Sequence, residues 1–261
     1  MPLLKFFRSN TDPTPADKAG CRFGDKGTHT SRTMMLDELA QVMATTSPDA
    51  KRGDYAAAII EENCLGKPTA STRRLTNQRL GELYGLDPSI AIFRVFRKLW
   101  ERDEKGRPLL ALLCVLARDP LLAATADAVM QLQPGAEFLR EPMRAGVRAA
   151  VGERLNDSIL DKVVRNAASS WTQAGHLAGR ALKVRRQVQP TPACVAFALY
   201  LAYLLGFRGF DLFSAGWVAV LDCPPAQGKD LALEAKRLGL LDIRIAGDIL
   251  EINFSRLEQP T

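Results

Sequence analysis

One stretch of this chain, Glu61–Gly85, joins two helical patterns through a sharp break, and it reads EENCLGKPTASTRRLTNQRLGELYG. The first pattern ends at a Gly-Lys-Pro sequence, residues 66–68. The second pattern begins at once and carries three arginines, Arg73, Arg74 and Arg79. Packing alone does not require a helix to stop and restart with a basic, amide-rich face. The stretch therefore indicates a function as well as a fold.

The second pattern, Ser71–Tyr84, predicts a helix with two distinct faces, which Ser71 or Thr69 caps and Gly85 ends. The apolar side holds Leu75, Leu80, Leu83 and Tyr84 with Thr72 and Thr76. The opposite side holds Ser71, Arg74, Gln78 and Gly81, with Asn77 beside them and Arg73 and Arg79 on the flanks. Arginine, glutamine and asparagine can make bidentate contacts to guanine or adenine edges. Gly81 costs roughly 1 kcal/mol of helix propensity and would let a phosphate backbone come close.

The helix before the break also has recognisable ends. We expect it to run from Asp54, as N-cap, to Leu65, with Gly66 as its C-terminal stop. Lys67 and the backbone amides of residues 69–72 would then lie at the start of the second helix, where an anion is favoured. Helix, turn and helix together predict a helix-turn-helix whose second helix enters the major groove. An ordinary αα-hairpin with solvated arginines has the same pattern.

The remaining periodicity predicts a mainly helical protein with an irregular N-terminal arm, residues 1–31. Residues 32–155 form a helical domain that contains the helix-turn-helix. One other predicted helix lies in residues 31–46, and further helices begin near Ser89, Arg107, Pro120 and Pro142. The Arg107 helix is apolar on every side and therefore central.

A second helical unit, residues 156–261, begins with a long helix capped near Asn156. After the basic link around Lys183, Arg185 and Arg186, Thr191 caps an apolar helix that Gly206 ends. The alternation of Leu241, Ile243 and Ile245 with polar residues, and a turn at Gly247, predict a terminal β-hairpin. Helices followed by one hairpin are typical of a winged-helix module, although a hairpin that merely covers the chain end fits equally well.

Charge and composition indicate a polyanionic partner. The chain has 261 residues, 47% of them hydrophobic and 25% charged, a net charge of +6 and a pI near 9.2. Residues 67–107 contain ten Lys/Arg and five Asp/Glu, and residues 140–186 contain ten Lys/Arg and four Asp/Glu. Positive charge gathered in this way is typical of nucleic-acid binders.

Other site types find little support in the sequence. The five cysteines are scattered, which indicates reduced thiols in a cytoplasmic protein, and the two histidines, His29 and His176, lie far apart. We expect no metal, no cofactor and no small-molecule substrate. The apolar run that starts at Ala193 falls short of the roughly 20 residues of a membrane span. The phosphate loop, the dinucleotide fingerprint and the nucleophile elbow are all absent, so we expect no enzyme.

Two segments resemble a known family. AAIIEENCLGKPTASTRRLTNQRLGELYGLD (residues 57–87) and RPLLALLCVLARDPLL (residues 107–122) are similar to the BrxA-like family, the small accessory proteins of BREX (bacteriophage exclusion) defence systems. The most specific part is E-N-x-L-x-K-x-x-x-S-T-R, residues 62–73. The resemblance implies an all-helical, non-enzymatic DNA-binding protein that works beside a methyltransferase, an ATPase and other defence proteins. It also implies that Lys67, Ser71, Thr72, Arg73 and Arg74 face the DNA.

The sequence thus predicts a cytoplasmic, duplex-DNA-binding protein of phage defence, with other BREX subunits as further partners. An RNA-binding helical protein, or a scaffold subunit that contacts acidic partners, remains an alternative. The predicted DNA-facing residues are Lys67, Thr69, Ser71, Thr72, Arg73, Arg74, Asn77, Gln78, Arg79, Lys183, Arg185 and Arg186.

Overall fold

The structure is a computed structural model that describes Phe7, residues 14–24 and residues 26–259. It is mainly helical, as predicted. The helices are α1 Thr14–Ala19, α2 Leu36–Thr45, α3 Arg52–Ile60, α4 Ala70–Tyr84, α5 Ala91–Arg102, α6 Arg107–Arg118, α7 Pro120–Ala123, α8 Ala126–Met130, α9 Arg140–Val151, α10 Asp157–Gln173, α11 Pro192–Leu204, α12 Asp211–Ser214, α13 Gly216–Ala219, α14 Pro225–Arg237 and α15 Ser255–Glu258. Short 3-10 turns cover Thr28–Thr30 and Gly152–Arg154.

The strands form two separate antiparallel pairs. Strands β1 (Leu177–Ala178) and β2 (Val184–Arg185) make a small sheet that the sequence did not predict, and Glu137 adds a bridge to Val184. Strands β3 (Asp242–Ala246) and β4 (Ile249–Asn253) form the predicted terminal hairpin, with Ala246 opposite Ile249. Gly247 adopts a φ of 58° in the two-residue turn between them, a conformation that glycine accepts without strain.

Helix α6 lies at the centre of the protein, as its apolar sequence predicts. Every residue from Leu109 to Arg118 is buried, and α4, α5 and α11 all pack on it. Helix α11 is almost as deeply buried, and Thr191 caps it through a hydrogen bond from the Cys194 amide. Such all-round burial explains why neither helix has a polar stripe.

The described part of the N-terminal arm is more ordered than the sequence indicated. Residues 14–19 form α1, and the Phe7 ring packs against Trp217 with 4.6 Å between ring centroids. Much of the segment predicted to be irregular is thus docked on the core. Part of the predicted arm lies outside the described residues.

A single hydrophobic cluster runs through the protein from Phe7 to Leu257. A smaller cluster joins α7, α9 and α10, and the indole of Trp171 donates a buried hydrogen bond to Thr125 Oγ1 over 2.8 Å. These contacts cross the predicted boundary between residues 155 and 156. The division into units stays a prediction, but the two predicted units share their core.

In the C-terminal part, α14 packs against α11 and β3, and the hairpin follows it. Among the described residues, no single helix has the length and apolar content to cross a membrane. Two consecutive segments reach that length and apolar content only when they are taken together, and a 105° bend separates them: Arg107–Arg118 and Pro120–Met130.

Candidate nucleic-acid interface

The turn before α4 is longer and differently built than the sequence predicted. Helix α3 begins at Arg52, not at an Asp54 cap: Asp54 lies inside its first turn and accepts a hydrogen bond from the Lys51 amide over 2.7 Å. The helix ends at Ile60, so Gly66 is not its stop. The connection, residues 61–69, has nine residues, whereas a typical helix-turn-helix has three or four.

Side chains of the turn set the start of α4. The Lys67 amide donates to Asn63 Oδ1 over 2.8 Å, and Arg73 Nη1 donates to the Ile60 carbonyl oxygen over 2.7 Å. Thr69 is the N-cap and accepts from the Thr72 amide over 3.2 Å. The hydrogen bond from Arg73 connects α4 to the end of α3, so this arginine has a structural role.

Helix α4 presents a row of side chains to solvent. Ser71, Arg74 and Gln78 are exposed at successive turns, as the sequence predicted. Leu75 is exposed as well, at 37%, so its assignment to the core was wrong. Burial is carried instead by Thr76, Leu80, Leu83 and Tyr84.

Arg74 is the cation of this row, and it has fewer partners than the nearby Lys67. Its side chain makes no hydrogen bond or ion pair with any residue that the structure describes, whereas Lys67 forms a 3.2 Å ion pair with Glu38. A Cβ on Gly81 would meet no atom within 4 Å, so this position is open to an approaching molecule.

Glu82 holds two of the predicted DNA-facing side chains. Arg79 Nη1 donates to its carboxylate over 2.7 Å and Gln78 Nε2 over 2.9 Å, and Thr28 Oγ1 donates over 2.8 Å. Partial burial raises the pKa of Glu82, but these three hydrogen bonds outweigh it and leave the pKa lowered. The carboxylate is therefore charged at neutral pH and offsets part of the positive charge of the face.

A groove of about 350 Å³ lies between α3 and α4 and continues this exposed row. Asn77, Gln78 and Gly81 line it from α4, and Arg22 and Arg52 line it from the opposite side. Neither arginine is among the predicted DNA-facing residues. Arg52 could have been found from the sequence, because it lies one helical turn before Ala56 and therefore on the same face of α3, and both residues line the groove. Arg22 comes from the docked arm, and nothing in the neighbouring sequence indicates its position.

The second predicted basic segment divides into three different environments. Arg186 is exposed, and Lys183 donates to Thr172 Oγ1 over 2.8 Å; burial and the nearby Arg140 charge lower the pKa of Lys183. Arg185 is only 1% exposed and forms a buried ion pair with Asp222. The prediction that Arg185 faces DNA is therefore wrong, because strand pairing in β2 turns it into the core.

Three residues that the sequence keeps far apart meet in the geometry of a catalytic triad. His29 Nδ1 lies 2.9 Å from Asp119 Oδ2, and His29 Nε2 lies 2.8 Å from Ser170 Oγ. All three are at most 1% exposed, and Ser170 Oγ also bonds the Met34 amide and the Asn166 carbonyl oxygen. The Ser170 hydroxyl is thus fully buried and already engaged by three partners.

The carboxylate of this network is stabilised in its charged form. Burial raises the pKa of Asp119, but the adjacent His29 and several hydrogen bonds outweigh burial and lower it. A Cβ on Gly27 would lie 2.4 Å from Asp119 Oδ1, so glycine is needed where the arm passes. The network thus fastens the arm to α7 and α10 and has a structural role.

Four cysteines are buried and Cys64 is half-buried, and all five are free thiols. In the part of the chain that the structure describes, no group of three or more His, Cys, Asp or Glu side chains could hold a metal ion.

Comparison with known proteins adds no assignment: no protein-family model matches the chain, and no curated protein matches it significantly. Membership in the BrxA-like family remains a prediction that rests on the sequence resemblance.

Proposed function

We propose that this chain is a cytoplasmic, non-enzymatic protein that binds duplex DNA and serves bacterial phage defence of the BREX type. The observation that supports it best is the exposed row of α4, in which Ser71, Arg74 and Gln78 follow one another at helical spacing. Ser71 and Arg74 can turn toward a ligand without disturbing the core, and Gln78 can do so by giving up its surface hydrogen bond to Glu82.

The electrostatics of the α4 N-terminus favour a phosphate group. Unpaired backbone amides and the helix dipole attract anions there, and Ser71 and Arg74 stand beside them. Arg22 and Arg52 place two more cations along the adjacent groove, which Glu82 and Asp87 also line. A duplex placed on α4 would thus meet hydrogen-bond donors to base edges and cations for its backbone.

The nine-residue connection changes how the recognition helix is presented. Because the turn is long, Asn63, Thr69 and Arg73 must fix the angle of α4 through hydrogen bonds. Asn63 and Arg73 belong to the most specific part of the resemblance to the BrxA-like family. We infer that this sequence signature describes the presentation of the helix as much as its contacts with DNA.

A mobility-shift titration with duplex DNA and duplex RNA of equal length tests the proposal. We expect the DNA affinity to fall by about 0.9 log units per log unit of salt for each phosphate neutralised. Absence of any shift at low salt, or a preference for the RNA duplex, would contradict duplex-DNA binding.

The double variant Arg74→Ala/Gln78→Ala tests the assigned surface. Lost base or phosphate contacts cost roughly 1–3 kcal/mol each, so DNA binding should weaken at least about tenfold. Gln227→Ala/Arg237→Ala is the matched control, because it removes the same two residue types from the exposed side of α14. Equal binding by the two double variants would move the interface away from α4.

A further inference from the structure

A cleft of about 680 Å³ opens between the terminal hairpin and the helices that carry it. Tyr203 near the end of α11, Lys236 near the end of α14, and residues 242–244 of β3 and 250–253 of β4 line it. Its volume lies within the range of about 300–1,000 Å³ that is usual for small-molecule sites. The proposed DNA-binding surface on α4 contributes no residue to it.

The cleft gathers more positive than negative charge. Four cationic side chains, Arg208, Lys236, Arg244 and Arg256, line it together with two carboxylates, Asp242 and Glu251. Arg256 Nε pairs with Asp242 Oδ2 at 2.7 Å. The other three cations have no ion pair with any carboxylate in the described part of the chain.

Two of these cations are held in place without being neutralised. Arg208 Nη1 donates to the carbonyl oxygens of Tyr203 and Phe207, each over 2.6 Å, and its guanidinium lies 4.0 Å from the Tyr203 ring centroid. Lys236 Nζ donates to the Ile243 carbonyl oxygen over 2.8 Å. Carbonyl partners fix the direction of a cation but leave its charge available for an anion.

Three of the four cations, Arg256, Lys236 and Arg244, act on the Asp242 carboxylate. The hydrogen bond from Arg256 is the main cause that lowers the pKa of Asp242, and the charges of Lys236 and Arg244 lower it further. Arg244 is exposed and stands opposite Glu251 in the hairpin register without forming an ion pair with it. Like charges held together in a concave surface are stabilised by an anion that enters it.

We propose that this cleft binds a small phosphorylated molecule of nucleotide size, with Arg208, Lys236 and Arg244 around its phosphate groups. The surroundings favour a small anion over a nucleic acid. Residues 187–261 contain eight Asp/Glu and six Lys/Arg, so this part of the chain as a whole repels a long polyanion. Inside the cleft a small anion meets four cationic side chains and two carboxylates, one of which is already paired with Arg256. Occupancy of such a site would give the protein a metabolite input separate from the DNA surface.

Isothermal titration of the full chain with pyrophosphate and with ATP, each without divalent metal, tests this assignment. We expect one saturable site for at least one of the two probes, with weaker binding as salt is raised. If neither probe shows saturable binding up to about 10 mM, the dissociation constant is weaker than millimolar and the proposal is overturned.

Single variants then locate the site. Arg208→Ala and Arg244→Ala should each weaken binding of the probe at least tenfold, with thermal unfolding checked in parallel. Arg237→Ala is the matched control, because this exposed arginine ends α14 outside the cleft, and it should bind like the unmodified protein. Arg244→Gln keeps a polar side chain and should also weaken binding, which separates lost charge from lost fold. Unchanged binding in the arginine variants of the cleft would overturn the assignment.

Two competitors distinguish the source of the negative charge. Duplex DNA and an acidic peptide are added to protein already saturated with the phosphate probe. We expect neither to displace the probe from the cleft. Displacement by DNA that depends on Arg208 and Arg244, or displacement by the peptide, would overturn the small-molecule assignment. The test is independent of Arg74 and Gln78, so loss of the DNA-binding proposal leaves it intact.

Discussion

His29 Nδ1 donates a hydrogen bond to Asp119 Oδ2 over 2.9 Å, and the two residues fasten the N-terminal arm to the start of α7. The same carboxylate accepts hydrogen bonds from the backbone amides of Thr28 and His29. It also caps α7, because it accepts hydrogen bonds from the amides of Leu121 and Leu122. A single buried side chain thus organises a loop, a helix start and a histidine. Its removal leaves several buried donors without a partner, which is costly.

Asp119→Ala should therefore lower the free energy of unfolding by about 3–5 kcal/mol, the usual cost of breaking a buried charged network. Asp157→Ala is the control, because Asp157 is 75% exposed and pairs with Arg144 and Arg148 at the surface. That change should cost no more than about 1 kcal/mol. Denaturant unfolding followed by circular dichroism measures both. Similar losses in the two variants would argue against an organising role for Asp119.

Ser170 should not react as a nucleophile despite its triad-like neighbours. A fluorophosphonate probe should leave the native protein unlabelled, because the hydroxyl is buried and already engaged by Met34 and Asn166. Mass spectrometry after incubation detects the adduct. Labelling of Ser170 that is lost in His29→Ala would show that the network opens and can perform covalent catalysis.

His176 should make stability depend on pH. Burial lowers the pKa of His176 from 6.5 to about 4, and its Nδ1 is buried without a hydrogen-bond partner among the described residues. Between these two values the unfolded chain binds more protons than the folded protein, so acidification favours unfolding. We expect the free energy of unfolding to fall by on the order of 3 kcal/mol as pH drops from 6.5 to 4.

His176→Gln tests this assignment, since glutamine can still donate to the Val220 carbonyl oxygen that His176 Nε2 contacts at 2.7 Å but cannot titrate. The variant should lose this part of the pH dependence in urea unfolding. Asp119 does not obscure the result: its lowered pKa makes its contribution present above pH 3.8 and lost only as pH falls below that value. An unchanged slope in the variant would assign the titration to other groups.

Arg185 and Arg186 are neighbours in sequence, but their substitution should lower stability by very different amounts. Arg185→Ala removes a buried cation and leaves Asp222, whose side chain is 12% exposed, without its ion-pair partner; it should cost about 3 kcal/mol of stability, the lower end for a buried pair. Arg186→Ala changes an exposed side chain and should cost less than about 0.5 kcal/mol. Thermal unfolding of the two variants checks this directly. Equal melting temperatures would contradict the buried position of Arg185.

Glu82→Gln should strengthen DNA binding if α4 is the interface. The change removes one negative charge from the face and keeps an acceptor for Arg79 and Thr28, so Coulomb repulsion of phosphates falls without loss of the local structure. We expect a gain of a few fold at low salt that disappears as salt is raised. The salt-dependent mobility shift of wild type and variant measures it. A loss of affinity would show that Glu82 positions Arg79 or Gln78 for DNA.

Local chemistry made much of the fold predictable. Thr69 and Gly85 bound α4, Thr191 caps α11, and the unbroken apolar sequence of α6 could only be a central helix. These features depend on neighbours within one or two turns, where capping and periodicity act. The hairpin was predictable for the same reason, because alternation and a glycine turn specify its register.

The sequence by itself determined most of the helices, the hairpin and the polar row of α4, since each follows from short-range hydrogen bonding and hydrophobic spacing, but not α1 or the ends of α3. Only the tertiary structure decided that Leu75 faces solvent, that Arg185 is buried on Asp222, and that His29 meets Asp119 and Ser170. Those outcomes depend on groups between 37 and 141 residues apart, or on which neighbour covers a helix face. Burial is a property of the packed chain, and one helix cannot specify it alone.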